Sequence, residues 1–322
     1  MSAGWSLTES DPSVFSAILW ELGVKGVEVE ELYGLDAALL EDLQPQAFIF
    51  LFKYLGGERA PARAGRQDTN FRGYFAHQVI ENACGTLAIL NATMNLNLTQ
   101  LGPELSNLKD FSSQLDPQTK GEVLTNSEVL RQVHNSFARS DPFQLDEARP
   151  ATEDDDVYHF IVYLPIDGHL YELDGLQPWP LDHGAVDASR WTDKAKEVIQ
   201  ARIATYPANE LHFNLMAICE DRLANLQSRI DALQAVQGSA VDTSRSDASL
   251  DLAHLQSQLS DEQAKRQRWA FDNALRRHNH VGLVHALLEQ LAKAGQLSAE
   301  IEQAKAKANE QRERRRAAQK AS

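Results

Sequence analysis

The chain has 322 residues, 43% of them apolar, and a formal charge of −15. Its length suggests a domain of about 200–250 residues plus an appendage, and its apolar content excludes wholesale disorder. The acidic balance argues against nucleic-acid binding, and two cysteines exclude a disulfide framework or a zinc ribbon. No apolar run reaches the roughly 18 residues of a membrane span, and the N-terminus lacks the pattern of a secretory signal. The sequons at Asn91 and Asn97 are therefore expected to stay unused.

In chain order, Pro12 to Leu22 reads as a helix with Asp11 as its cap and Pro12 in its first turn. Ala47 to Leu55 is a short aromatic and aliphatic run, the pattern of a buried strand. Gly56 to Asn70 reads as a loop. Val79 to Leu98 is apolar nearly all round and predicts one long buried helix. Pro103 to Ser113 and Ser127 to Ala138 predict two more helices. Ser140 to Asp156 reads as a loop ending in the acidic run Glu153 to Asp156. Val157 to Leu164 and His169 to Leu173 predict strands joined by Asp167-Gly168, a strong hairpin signal. Leu211 to Ile218 is a further strand candidate.

The remainder reads as helical and differs in charge. Residues 261–322 hold 13 Lys and Arg against 8 Asp and Glu, which leaves −20 on the preceding 260. Such asymmetry marks two functional units, with the seam in the polar stretch Gln237 to Ser249. Leu223, Leu226, Ile230 and Leu233 form one apolar stripe, and Leu252, Leu255 and Leu259 a second. Trp269 to Lys293 predicts a helix stopped by Gly295. Ser298 to Lys320 has good helix formers but almost no apolar stripe, and needs a partner to be well ordered.

The chemistry concentrates on Gln78, Cys84, His159 and Asp174. A two-residue loop at Asp167-Gly168 sets Ile161 opposite Asp174, so His159 and Asp174 become diagonal neighbours on one sheet face. That arrangement lets a carboxylate hold an imidazole's tautomer. Cys84 falls at the front of the predicted buried helix, where free N–H groups favour a thiolate. The small residues Ala83 and Gly85 leave room beside it. Gln78 is placed to donate an amide to an oxyanion. Nucleophile, base, orienter and oxyanion donor make an acyl-transfer set. The competing reading is a core thiol and a structural histidine. His77 reads as surface or structural, Cys219 as a core thiol, and His278, His280 and His285 as a helix face rather than a metal site.

The segment Gln78-Val-Ile-Glu-Asn-Ala-Cys84-Gly-Thr resembles the active-site motif of the ubiquitin C-terminal hydrolases, a family of papain-like cysteine peptidases. His159-Phe-Ile-Val-Tyr-Leu-Pro-Ile-Asp-Gly-His-Leu-Tyr-Glu-Leu-Asp174-Gly is similar to that family's histidine–aspartate hairpin. Trp5 to Phe15 and Phe213 to Ala217 look like its first and last core segments. Asn126 to Ala138, Arg276 to His280 and the basic C-terminal end resemble the proteasome-associated branch. A chromatin-linked branch carries a related tail after a very long insertion, where this chain has a short linker.

The resemblance implies an α+β papain-like fold, a central antiparallel-rich sheet flanked by helices and followed by an all-α C-terminal extension. It implies a catalytic domain over residues 4–222, a helix and linker over 223–249, and a partner-docking extension over 250–322. Its implied catalytic residues are Cys84, His159, Asp174 and Gln78, with substrate contacts at Trp5, Glu31 and Asn82. No metal or cofactor is expected. The implied substrate is ubiquitin or its conjugates, and residues 142–156 match a crossover loop spanning the active site. The implied tail partner is the deubiquitinase-adaptor domain of a proteasomal ubiquitin receptor, in the cytoplasm and nucleus. The basic run Arg312 to Arg316 reads as a docking site, a nuclear-localisation patch or a solvated helix end. A non-catalytic ubiquitin-binding scaffold, a chromatin-linked deubiquitinase and a hydrolase for another ubiquitin-like modifier are the alternatives.

Overall fold

The computed structural model describes residues 4–54, 64–97, 100–138, 157–207, 212–237 and 245–321. The expected crossover loop at 142–156 lies outside them. The architecture is α+β. Among the described residues, seven strands form one antiparallel sheet: β1 Val27–Glu31, β2 Ala47–Lys53, β3 Arg66–Gln67, β4 Tyr158–Ile166, β5 His169–Leu173, β6 Leu181–Ala185 and β7 Phe213–Glu220. Their spatial order is β1-β7-β2-β4-β5-β6-β3. β2 lies between β4 and β7 and is buried on both faces, which explains its unbroken apolar run. β3 falls in the stretch read as a loop; its two residues are exposed and carry no apolar pattern.

Alternation along the strands divides the core into two layers. One face packs against α1 Pro12–Glu21 and α3 Cys84–Thr93 through Phe15, Ile18, Ile89, Phe160 and Val162. The other packs against α2 Ala37–Leu43 and α7 Trp191–Ile203 through Leu40, Phe48, Phe50, Tyr163 and Trp191. Three short helices, α4 Pro103–Ser112, α5 Pro117–Asn126 and α6 Glu128–Ser136, follow α3 in sequence and contact one another in succession. Asp11 caps α1 by accepting from Ser13 N at 2.8 Å, and Pro12 opens the helix, as the sequence predicts.

The long helix predicted over Val79–Leu98 is shorter. Ile80 is extended (φ −131°, ψ 130°), a 3-10 turn covers Glu81–Ala83, and α3 runs only from Cys84 to Thr93. Asn91 on α3 and Asn95 in the turn just after it account for the difference. Asn91 accepts from Ala76 N and donates to Ala76 O, at 2.9 and 3.0 Å. Asn95 does the same to Tyr74, at 2.7 Å each. These side chains stand in for a neighbouring strand, so the chain before Cys84 runs extended past the helix that Cys84 begins. Asn91 is buried with both ends of its amide bonded to Ala76, which leaves its sequon inaccessible in the folded chain.

The two leucine stripes meet. α8 Arg222–Gln237 and α9 Arg245–Arg277 bury Leu226, Ile230 and Leu255 against Leu233, Leu252 and Leu259. The expected linker thus begins after α8, and its residues from Arg245 onward are already helical. Further along, α9 lies against α1 and β1. Trp269 meets Trp20 with ring centroids 6.4 Å apart. Arg266 reaches Glu28 and Asp221 at 2.8 and 2.7 Å, and Lys265 pairs with Glu30 and Glu262. Arg276 binds Asp11 at 2.5 Å, and the Arg277 guanidinium lies 3.9 Å from the centroid of the Phe137 ring.

Two compact units result. Residues through Arg277, apart from 140–148, form one, while His278–Ser322 belong to the other. The helix predicted over Trp269–Lys293 is accordingly broken at His278-Asn279-His280. Asn279 accepts the Val281 N–H at 3.0 Å and so starts a new helix, α10 Val281–Lys293. Gly295 follows α10, and α11 Leu297–Ala321 completes the chain as a single helix. Every described side chain of α11 is exposed except the half-buried Leu297. No helix among the described residues is long and apolar enough to cross a membrane.

Candidate active site

The hairpin register is the one its loop predicts. Ile166 pairs with His169, and pairing continues to Val162 opposite Leu173. Asp167 and Gly168 both take positive φ (49° and 78°), the turn that matches strand twist and that glycine adopts without strain. The register carries His159 to Asp174: imidazole Nε2 lies 2.6 Å from carboxylate Oδ1, with both side chains almost fully buried. Oδ1 also accepts the Leu176 N–H at 2.9 Å, which fixes the carboxylate.

Cys84 opens α3 and is half-buried, with its thiol within hydrogen-bonding reach of His159. Nε2 is taken by Asp174, so Nδ1 is the nitrogen left for the thiol. Burial opposes a charge on His159, but hydrogen bonds and charge from Asp174 and Cys84 outweigh it and raise its pKa to about 9. Phe52 and Tyr54 flank the imidazole edge-on, at centroid distances of 5.7 and 5.9 Å. The expectation that Gly85 opens space for substrate is corrected. Gly85 is buried, and a Cβ there would lie 3.0 Å from the Phe15 ring, so it serves close packing of α3.

Gln78 is brought to the same place by the residue after Asp174. Its N–H donates to Gly175 O at 2.8 Å. A Cβ on Gly175 would sit 3.0 Å from that nitrogen and 3.1 Å from Gln78 Cβ, so glycine is needed for the approach. The sequence reading missed Gly175, Asn91 and Asn95 as supports. The two asparagines four residues apart in an otherwise apolar stretch were the available signal.

The other named residues are placed differently. Trp5 is buried: its indole donates to Thr125 O at 3.3 Å and lies against His134. Asn82 donates to Trp5 O at 2.9 Å, which ties the N-terminal segment to the turn before Cys84. Glu31 ends β1, accepting from Asn214 and from the exposed Tyr33 hydroxyl, both at 2.8 Å. His77 is half-buried and bonds Pro178 O at 3.0 Å, as a structural group. Cys219 is buried in β7, where burial pushes its thiol far up. The carboxylates of Glu28, Glu30 and Glu262 do converge, but Lys265 and Arg266 already pair with them.

A thiol at a helix start, an imidazole beside it and a buried carboxylate behind form an acyl-transfer arrangement. Comparison with known proteins agrees. Residues 5–204 match the family described as ubiquitin carboxyl-terminal hydrolase, family 1, and residues 252–297 match a second region of ubiquitin carboxyl-terminal hydrolases. Ubiquitin carboxyl-terminal hydrolase 2 of Schizosaccharomyces pombe is 44% identical over 90% of this chain and 91% of its own. Ubiquitin carboxyl-terminal hydrolase ubh-4 of Caenorhabditis elegans is 39% identical over 92% and 90%. The crystal structure of Trichinella spiralis UCH37 bound to ubiquitin vinyl methyl ester superposes with a TM-score of 0.66 at 34% identity, covering 83% of this chain and 99% of that one. The chain belongs to the ubiquitin carboxyl-terminal hydrolase family and is a cysteine-type deubiquitinating enzyme.

Proposed function

We propose that Cys84 attacks the carbonyl of ubiquitin's C-terminal glycine and releases whatever amine or alcohol follows it. The observation that carries this reading is the 2.6 Å His159–Asp174 contact with the Cys84 thiol also within hydrogen-bonding reach of the imidazole. His159 takes the Cys84 proton as the sulfur attacks, and its elevated pKa holds that proton on the imidazole until it passes to the leaving group. Asp174 holds the ring and its charge, and the Gln78 amide donates to the oxygen that becomes negative in the tetrahedral intermediate. Collapse leaves a Cys84 thioester. A water then loses a proton to His159, attacks that thioester and frees ubiquitin. Glu31, at the end of β1, is assigned a basic side chain of ubiquitin.

The extension is assigned to partner docking. Val281, Leu283, Leu287 and Leu288 are exposed apolar residues on α10, a face suited to a helical partner. The partner proposed is the adaptor domain of a proteasomal ubiquitin receptor, which places the enzyme in cytoplasm and nucleus.

Incubating the full chain with ubiquitin carrying a C-terminal thiol-reactive group tests nucleophile and substrate together. Wild type should gain one ubiquitin mass and Cys84→Ala none. An adduct that survives in Cys84→Ala would overturn the assignment.

A further inference from the structure

The sheet face that carries His159 and Asp174 holds a second buried charged group that the reaction above does not use. Glu172 lies two residues before Asp174 on β5, hence on the same face. Its carboxylate accepts from Arg202 Nη1 at 2.7 Å and from His183 Nε2 at 3.3 Å. Arg202 comes from the last turn of α7, and its side chain is 9% exposed. The same Nη1 donates to the Tyr163 hydroxyl at 3.4 Å. The guanidinium carbon lies 4.3 Å from the centroid of the Phe52 ring, and Phe52 is the residue paired with His159 between β2 and β4. The chain of contact therefore runs Glu172, Arg202, Phe52, His159.

Burial alone would raise Glu172, but the Arg202 charge and the His183 hydrogen bond bring it below the ordinary carboxylate value. Glu172 is thus an anion and Arg202 a cation, close to the imidazolium but neutral together. Titratable groups face His159 from the residue after β5 (Asp174) and from α3 (Cys84). Glu172 is faced from α7 (Arg202), β6 (His183), β4 (Tyr163) and just past the end of its own strand (Asp174, whose charge opposes its own). A pair of this kind props the aromatic ring on which the catalytic imidazole rests and adds little net field to it. A single member of the pair would add a field that water cannot screen.

We propose that Arg202 is a positioning residue of the hydrolase: stacked on Phe52 and neutralised by Glu172, it backs His159 without perturbing its charge. This rests on the assignment of Cys84, His159 and Asp174 as the reacting set. The test compares the full-length wild type with Glu172→Gln and with the double variant Arg202→Met/Glu172→Gln. It follows hydrolysis of a fluorogenic ubiquitin C-terminal amide across pH, per folded protein.

Glu172→Gln leaves the guanidinium charge uncompensated, so the alkaline limb of kcat/KM should move down by about half a pH unit. The double variant should return the limb to the wild-type position while kcat stays several-fold lower at unchanged KM, because Phe52 has lost its support. An unmoved limb in Glu172→Gln, or a wild-type kcat in the double variant, would overturn the proposal. If Glu172→Gln does not fold, the kcat of the double variant, whose buried charges are removed together, decides alone. Activity that survives in Cys84→Ala would instead overturn the underlying assignment.

Discussion

At the scale of single residues, the site depends on one hydrogen bond and one glycine. Asp174 holds the tautomer and the charge of His159, so Asp174→Asn should lower kcat by about three orders of magnitude with little change in KM. Gly175→Ala places a methyl group 3.0 Å from Gln78 N and should displace the proposed oxyanion donor. A roughly tenfold or greater loss of kcat is expected while thermal unfolding still shows a folded protein, and an unchanged kcat would remove Gln78 from the mechanism. The His159–Asp174 pairing was legible in the sequence, because a two-residue hairpin fixes register by counting. The Asn91 clamp was not: it depends on which neighbour passes α3, and that comes from tertiary contact rather than local spacing.

At the scale of elements, α3 and α9 carry most of the unforeseen structure. Asn91→Ala would strip Ala76 of both backbone partners in a buried setting. Destabilisation of about 2–4 kcal/mol is expected from chemical denaturation. The docking of α9 has its own pH signature. Burial raises Glu28 to about 7 against the opposing charges of Lys265 and Arg266. A carboxyl with a raised folded pKa contributes its stabilisation below its ordinary value near 4.5 and loses it as pH rises through about 7. Wild-type stability should therefore fall across that window, and Glu28→Gln should flatten the slope; equal slopes would contradict it. The periodicity of α8 and α9 was readable from their leucines. Their docking to the sheet was not, because Lys265, Arg266 and Arg276 read as ordinary solvated helix charges until Asp11, Glu28, Glu30 and Asp221 are brought opposite them.

At the scale of the whole molecule, the compact units divide at His278, while the charge asymmetry places its seam in the polar stretch Gln237 to Ser249. α9 shares buried leucines with α8 and ion pairs with β1, whereas the described residues of α10 have no buried members. Removing residues 278–322 should leave the thermal midpoint of the remainder within a few degrees of wild type and, on the proposed docking role, abolish co-purification with proteasomes. Removing residues 245–322 should uncover Leu226, Ile230 and Trp20 and lower the midpoint much further. Equal midpoints for the two truncations would mean that α9 contributes no stability.

The central claim is that a thiol and an imidazole act together, with Asp174 setting the charge of the imidazole. The pH dependence of kcat/KM for wild type and Asp174→Asn, on one fluorogenic ubiquitin amide, tests it most directly. The wild-type profile should hold into alkaline solution and fall with an apparent pKa near 9, the value to which Asp174 and Cys84 raise the imidazole. The limb in Asp174→Asn should move to lower pH, because the carboxylate that stabilises the imidazolium is gone. Coincident alkaline limbs would contradict the account.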